Sequence, residues 1–163
     1  MISVVIATLD DEAVLGRALQ PLLAAAISGL VSEVIVVDGG STDATIEIAD
    51  DAGCRIIAGE GDAASRQDAG VAAARRDWVL RLDALAWLAP AWDAAARDHI
   101  ERHPGRAAVF PSGGAGWMGL LGLGPRGPRA LLEPRAGGGH PARCLKSPLI
   151  APQLARSLKD QPR

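Results

Sequence analysis

The sequence predicts an α/β fold: a mainly parallel sheet flanked by helices, in three layers. Three observations carry that expectation. Val34 to Val37 is a continuous β-branched run, the pattern of a strand buried on both faces, as in the interior of a parallel sheet. Short apolar runs of this kind alternate with segments of helical periodicity, and that alternation implies parallel pairing through right-handed crossovers. Two of the runs end on a carboxylate, Asp38 and Asp83, at the strand ends where open α/β sheets place their ligands, and the two are expected to project side by side from adjoining strands into one cleft.

Each element has its own justification. Ile2 to Ala7 reads as the first strand, and Val14, Leu15, Ala18, Leu19, Leu22 and Leu23 recur at helical spacing across a first helix from about Glu12 to Ala26. Asp10, Asp11 and Glu12 stand at its amino end, where acids suit the helix dipole, and one of them is expected to line a pocket beside Asp38. After the strand ending at Asp38, Gly39 and Gly40 permit a tight turn, and Ser41 or Thr42 is expected to cap the next helix. Ile46, Ala49 and Ala52 should face inward on that helix, which Gly53 ends. Arg55 to Ala58 reads as a third strand, Ala63 to Ala74 as an alanine-rich helix, and Trp78 to Leu82 as a fourth strand whose apolar pattern Arg81 interrupts. Pro90 opens a helix to about Arg102, stopped by Pro104-Gly105. Ala107 to Phe110 and Arg129 to Glu133 are candidate strands, and Leu149 to Leu158 a final helix. Between them, Pro111 to Pro128 is rich in glycine and proline and carries the apolar stretch Trp117 to Leu123, read as a loop over the sheet or a flap touching a lipid-linked acceptor.

Composition narrows the function classes. At 163 residues the chain is expected to form a single domain, 1–163. A net charge of -2 gives no global basic field for nucleic acid. Cys54 and Cys144 have no metal-like spacing, which points to a reduced, cytoplasmic protein. No apolar run reaches the roughly 18 residues of a membrane span, so no transmembrane segment is expected, with attachment at the inner membrane face the remaining membrane option.

Three stretches share a specific resemblance. Ser3-Val4-Val5-Ile6-Ala7-Thr8-Leu9-Asp10-Asp11-Glu12, then Val34-Ile35-Val36-Val37-Asp38-Gly39-Gly40-Ser41-Thr42-Asp43, then Asp77-Trp78-Val79-Leu80-Arg81-Leu82-Asp83-Ala84 resemble, in order, the family 2 glycosyltransferases of GT-A fold. The resemblance covers about the first 95 residues and implies a transferase moving a sugar from a nucleoside diphosphate-sugar to an unknown acceptor, with inversion. It implies a nucleotide-sugar-binding half, 1–110, and a short acceptor-side half, 111–163. By position, Thr8 and Asp11 match nucleotide contacts, with Asp10 where the family usually has Asn. Asp38 matches the carboxylate that binds the base, Gly39 replaces a frequent Asp, and Asp68 with Gly70 falls near an Asn-x-Gly element. Asp83 matches the first acid of an Asp-x-Asp signature that holds Mg²⁺ or Mn²⁺ against the diphosphate.

Two family features are missing. Leu85 stands in place of the second acid, so the cation is expected to be weakly held or absent, with Arg66, Arg81 or the Arg126, Arg129 and Arg135 cluster helping to neutralise phosphate. Gly137-Gly138-Gly139-His140-Pro141 resembles the turn before the family's general base, yet Ala142 to Ile150 contains no Asp or Glu, leaving His140 as the nearest titratable candidate. These gaps motivate a second reading, a catalytically impaired nucleotide-sugar-binding or regulatory protein of the same fold. A lesser alternative is a Rossmann-type dinucleotide site at Gly59-Glu60-Gly61-Asp62-Ala63-Ala64, although Glu60 and Asp62 would repel a pyrophosphate. His99 and His103, one helical turn apart, have the spacing of metal ligands, but a helix carboxyl end favours His without one.

Overall fold

The structure is a computed structural model that describes residues 1–86, 88, 90–110 and 130–135, together with the backbone of 143 and 144. Its elements follow one another as β1 (Ile2–Thr8), α1 (Glu12–Ile27), β2 (Val31–Asp38), α2 (Thr45–Asp51), β3 (Arg55–Ala58), α3 (Ala63–Ala73), β4 (Trp78–Asp83), α4 (Trp92–Arg102), β5 (Ala108–Val109), β6 (Ala130–Pro134) and β7 (Arg143–Cys144). The seven strands form one mixed sheet in the order β3-β2-β1-β4-β6-β5-β7. β1 to β4 are parallel, whereas β6 runs antiparallel to both β4 and β5.

Alternation along the strands makes the layers. Val4, Ile6, Val36, Leu80 and Leu82 pack against Leu15 and Leu22 of α1, Ala49 of α2, and Trp92 and Ala96 of α4. Val5, Ile35, Val37 and Val79 point the other way, toward α3 and its partly buried Val71 and Ala73. The expected three-layer α/β architecture is what forms. α3 lies unusually near the sheet, because a Cβ on Gly70 would stand 2.2 Å from Val5 Cγ1 and 2.8 Å from Val37 Cγ2.

The strand order places the site. From β1 the chain moves outward through β2 to β3, then returns across β1 to form β4 on its other flank. The carboxyl ends of β1 and β4 therefore border a topological switch point, where loops diverge and leave a crevice. Thr8 is in register with Asp38 and Ala7 with Asp83, so all three strands end at nearly one level.

Several local expectations are corrected. β2 and β4 do not adjoin; β1 runs between them and separates Asp38 from Asp83 by a full strand. On α2 the buried residues are Thr45 and Ala49, while Ile46 and Ala52 are exposed. This short helix takes its rotation from Thr45, whose hydroxyl is drawn inward by the backbone N–H of Asp11 at 2.8 Å. Neither Ser41 nor Thr42 caps it, for Ala44 occupies the N-cap position and Asp43 Oδ1 accepts from Thr45 N. β7 was not expected at all; it pairs with β5, a long-range match that no local pattern signals. The apolar stretch Trp117 to Leu123, Arg126, Arg129, the glycine turn with His140 and the helix expected over Leu149 to Leu158 lie outside the described residues.

Candidate functional site

The first two strand-end loops are laced together. Asp10 N donates to Ser41 Oγ at 2.9 Å, Thr42 N to Asp10 Oδ1 at 2.7 Å, Glu12 N to Asp43 Oδ2 at 3.1 Å and Ala44 N to Glu12 Oε2 at 2.9 Å. The Asp10 and Glu12 side chains thus serve the neighbouring loop rather than their own helix, while Asp11 makes no side-chain cap and its Oδ2 accepts from Leu9 N at 3.1 Å. Asp10 adopts φ +53, a left-handed conformation that Asp and Asn tolerate best among non-glycine residues.

Asp38 is the knot of the second loop. Its residue is 5% exposed, and its Oδ1 accepts from Thr8 Oγ1 at 3.3 Å and Ser41 Oγ at 2.5 Å. Its Oδ2 accepts from the N–H groups of Gly40 and Ser41 at 2.8 and 2.9 Å. Burial works to raise the carboxyl's pKa, but the hydrogen bonds from Ser41, Gly40 and Thr8 outweigh it and hold the group below the usual carboxylate range.

Arg66 fits into the space this turn leaves. A Cβ on Gly39 would sit 3.0 Å from Arg66 Nη1, and one on Gly59 would sit 2.4 Å from Val37 Cγ1 and 3.0 Å from Arg66 Cγ. The glycines of the Gly59-x-Gly61 stretch are accounted for by this packing and by the positive φ of Gly61, without a dinucleotide. Arg66 is 8% exposed, donates from Nη1 to the Gly61 carbonyl at 2.6 Å, and its buried Nε has no hydrogen-bond partner among the described residues.

A cavity of about 400 Å³ opens at the switch point between β1 and β4. Asp11, Arg66, Arg81 and Asp83 supply its charge, and Leu9 and Leu85, 47% and 58% exposed, form apolar lips. Asp83 Oδ1 accepts from Leu85 N at 2.9 Å. Arg81 is fixed at the wall by two carboxylates, Glu133 Oε1 at 2.5 Å from Nε and Asp68 Oδ1 at 2.6 Å from Nη1. Desolvation of Arg81 opposes its charge, yet the two carboxylates outweigh that and raise its pKa.

Of the residues singled out from sequence, Asp11, Arg66, Arg81 and Asp83 line this cavity. Thr8, Asp38 and Gly39 build the turn beside it, and Asp68 reaches it only through Arg81. His140 lies outside the described residues. Sequence reasoning missed Gln67, which lines the cavity and donates to the Leu82 carbonyl at 2.9 Å, and Glu133 behind Arg81; no local pattern points to either. His99 is used in packing, with its ring edge-on to Trp78 and Nε2 2.7 Å from the Arg106 carbonyl oxygen.

The sequence model described as "Glycosyl transferase family 2" matches residues 3–125. The chain belongs to glycosyl transferase family 2. The match spans β1 to β5 and every loop that borders the cavity. A comparison with curated protein sequences finds no match. Among solved structures, the family 2 chain is similar in fold to glucosyl-3-phosphoglycerate synthase from Mycobacterium tuberculosis. In the complex with Mn²⁺, uridine diphosphate and glucosyl-3-phosphoglycerate the TM-score is 0.64 at 22% identity, covering 83% of this chain and 57% of that one. The complex with Mn²⁺, uridine-diphosphate-glucose and phosphoglyceric acid gives 0.65 at 22%, covering 83% and 56%. The complex with uridine diphosphate alone gives 0.61 at 20%, covering 83% and 57%. This family 2 chain thus spans little more than half the length of those proteins.

Proposed function

We propose that the chain is the donor-binding part of a glycosyltransferase, taking a sugar from a nucleoside diphosphate-sugar and passing it to an acceptor. The observation that carries the reading is the cavity at the β1/β4 switch point, with charged side chains converging on it from the β1–α1 loop, α3 and the end of β4. In this reading Asp11, Arg66 and Asp83 contact the donor. Thr8, Asp38 and Gly39 shape the wall against which the nucleoside rests, and Asp68 keeps Arg81 in place.

The reaction itself is a displacement. An acceptor hydroxyl oxygen bonds to the anomeric carbon on one face as the bond to the β-phosphate oxygen breaks on the other, and the hydroxyl proton passes to a base. His140 is the candidate base, residues 111–163 are assigned to the acceptor side, and a lipid-linked acceptor is among those they could take. Among the described residues no helix is long and apolar enough to cross a membrane.

Two of the three M. tuberculosis complexes contain Mn²⁺, and a divalent cation would neutralise the leaving diphosphate. The side chains of this cavity are a poor donor set for such an ion. Hard cations need several oxygen ligands, and here Asp83 and Asp11 are the acids that line the cavity; among the described residues no three His, Cys, Asp or Glu side chains come together in a way that could hold a metal, so the diphosphate and water would have to supply most of the ligands.

Calorimetric titration with UDP and GDP tests the reading, and saturable binding of either is expected. Absence of binding to any nucleoside diphosphate would sink it. A second reading, a binding or regulatory protein without turnover, is favoured by Leu85 at the cavity lip and by the acid-free stretch Ala142 to Ile150. Mass spectrometry of a nucleotide-sugar panel separates the two, since consumption of a donor excludes the second.

A further inference from the structure

We infer that this cavity binds its nucleoside diphosphate without a divalent cation, the positive charge being supplied by Arg66. The inference rests on the donor-binding reading above and specifies how that site neutralises phosphate.

Two observations meet here. The first is the poverty of the metal donor set. Leu85, exposed at the cavity lip, occupies the position two residues after Asp83, and one oxygen of Asp83 already accepts from Leu85 N. The segments outside the described residues contain no Asp, Glu, His or Cys apart from His140, Cys144 and Asp160. The second is the state of Arg66. A guanidinium has five N–H donors, and this one is nine-tenths buried with a single hydrogen bond, to a neutral carbonyl. No carboxylate lies within 4 Å of it among the described residues. A buried charge with no carboxylate in contact is costly, and a bound anion recovers part of that cost. Arg81 differs, because Glu133 and Asp68 already neutralise it.

The acids near the cavity do not cancel this preference. Asp62 feels the Arg66 charge but is exposed and screened by water, as is Asp83, and the half-buried Asp11 spends one carboxylate oxygen on Leu9 N, whereas the Arg66 charge acts through a poorly hydrated interior where its field is stronger. Gly39 and Gly59 leave room for Arg66: a Cβ at Gly39 would crowd the guanidinium, and one at Gly59 would overlap Val37 Cγ1 and crowd the Arg66 stem.

The test is calorimetric titration of the full chain with UDP, GDP, ADP, CDP and TDP, in EDTA and again in Mn²⁺. The expected result is saturable binding of at least one nucleotide in EDTA, with an affinity that Mn²⁺ changes by no more than about twofold. Binding that appears only with Mn²⁺, or tightens about tenfold or more with it, overturns the inference while leaving the donor-binding reading intact. No binding under either condition overturns both. Arg66→Met is expected to weaken binding in EDTA about 10- to 100-fold, the loss of a charge-assisted contact, and Arg66→Lys to retain most of it. Because Arg66 packs against Gly39 and Gly59, a fold-safe variant is included. Leu85→Asp, at an exposed position, is expected to make affinity respond to Mn²⁺ by about tenfold or more. A wild type that already shows that response refutes the proposal.

Discussion

At Gly70 the absence of one methyl group sets the distance between a helix and the sheet. A Cβ there would overlap Val5 and Val37, both fully buried in β1 and β2. Gly70→Ala should therefore destabilise the fold by about 1–3 kcal/mol through overpacking, despite the better helix propensity of alanine. Urea unfolding measures this, and Val5→Ala in the same chain should return part of the loss. Asp38 makes a prediction of a different kind. Its folded pKa lies below its unfolded value, so its contribution is complete above the unfolded pKa of about 3.9 and disappears as pH falls through the folded value. Glu33, Asp43 and Asp62 are shifted the same way, so wild-type thermal melts should weaken steeply in acid. Asp38→Asn should lower the melting temperature at pH 7 and flatten its decline below about pH 4. A slope identical to wild type would show that the Ser41, Gly40 and Thr8 bonds do not favour the ionised form.

Among elements, the wall made by α3, β4 and β6 depends on Arg81. The side chains of Arg81 and Glu133 are only 25% and 20% exposed, and the pair joins the last parallel strand to its antiparallel neighbour. Removing one partner leaves the other charge poorly solvated, so Arg81→Met and Glu133→Gln should each cost about 1.5–3 kcal/mol. The double variant should cost less than the sum, and a double-mutant cycle from urea unfolding reads the difference. Asp68, whose side chain is 72% exposed, should contribute far less to the same wall. The laced loops after β1 and β2 belong to this scale as well. Backbone N–H groups of each loop find side-chain acceptors on the other, so both strand ends are held by contacts more than 30 residues apart in sequence.

For the molecule as a whole, ligand binding and stability are linked. The cavity borders β1, α3, β4 and β6, so a nucleotide seated there touches elements from both sides of the switch point. At a concentration of about 100 times its Kd, a bound nucleoside diphosphate should stabilise the folded chain by about 2.7 kcal/mol. A thermal-shift series against nucleotide concentration, run in EDTA, would report that directly. A melting temperature indifferent to every nucleotide would contradict the donor-binding reading.

By itself the sequence determined the layer architecture and the strand ends that border the cavity. The β-branched runs of β1, β2 and β4 and the helical spacing of α1 are local patterns whose burial follows from side-chain chemistry alone. Glycosyl transferase family 2 was legible in the same stretches, because the residues closing those strands carry it. Which groups meet was left to the tertiary structure. That β1 separates Asp38 from Asp83, that Asp38 spends its oxygens on its own turn and on Thr8, and that Arg66 is buried against Gly39 with no carboxylate in contact among the described residues all depend on strand order and close packing between distant segments. Those contacts are fixed by the hydrogen bonds and steric limits of the folded whole, which no window of the sequence contains.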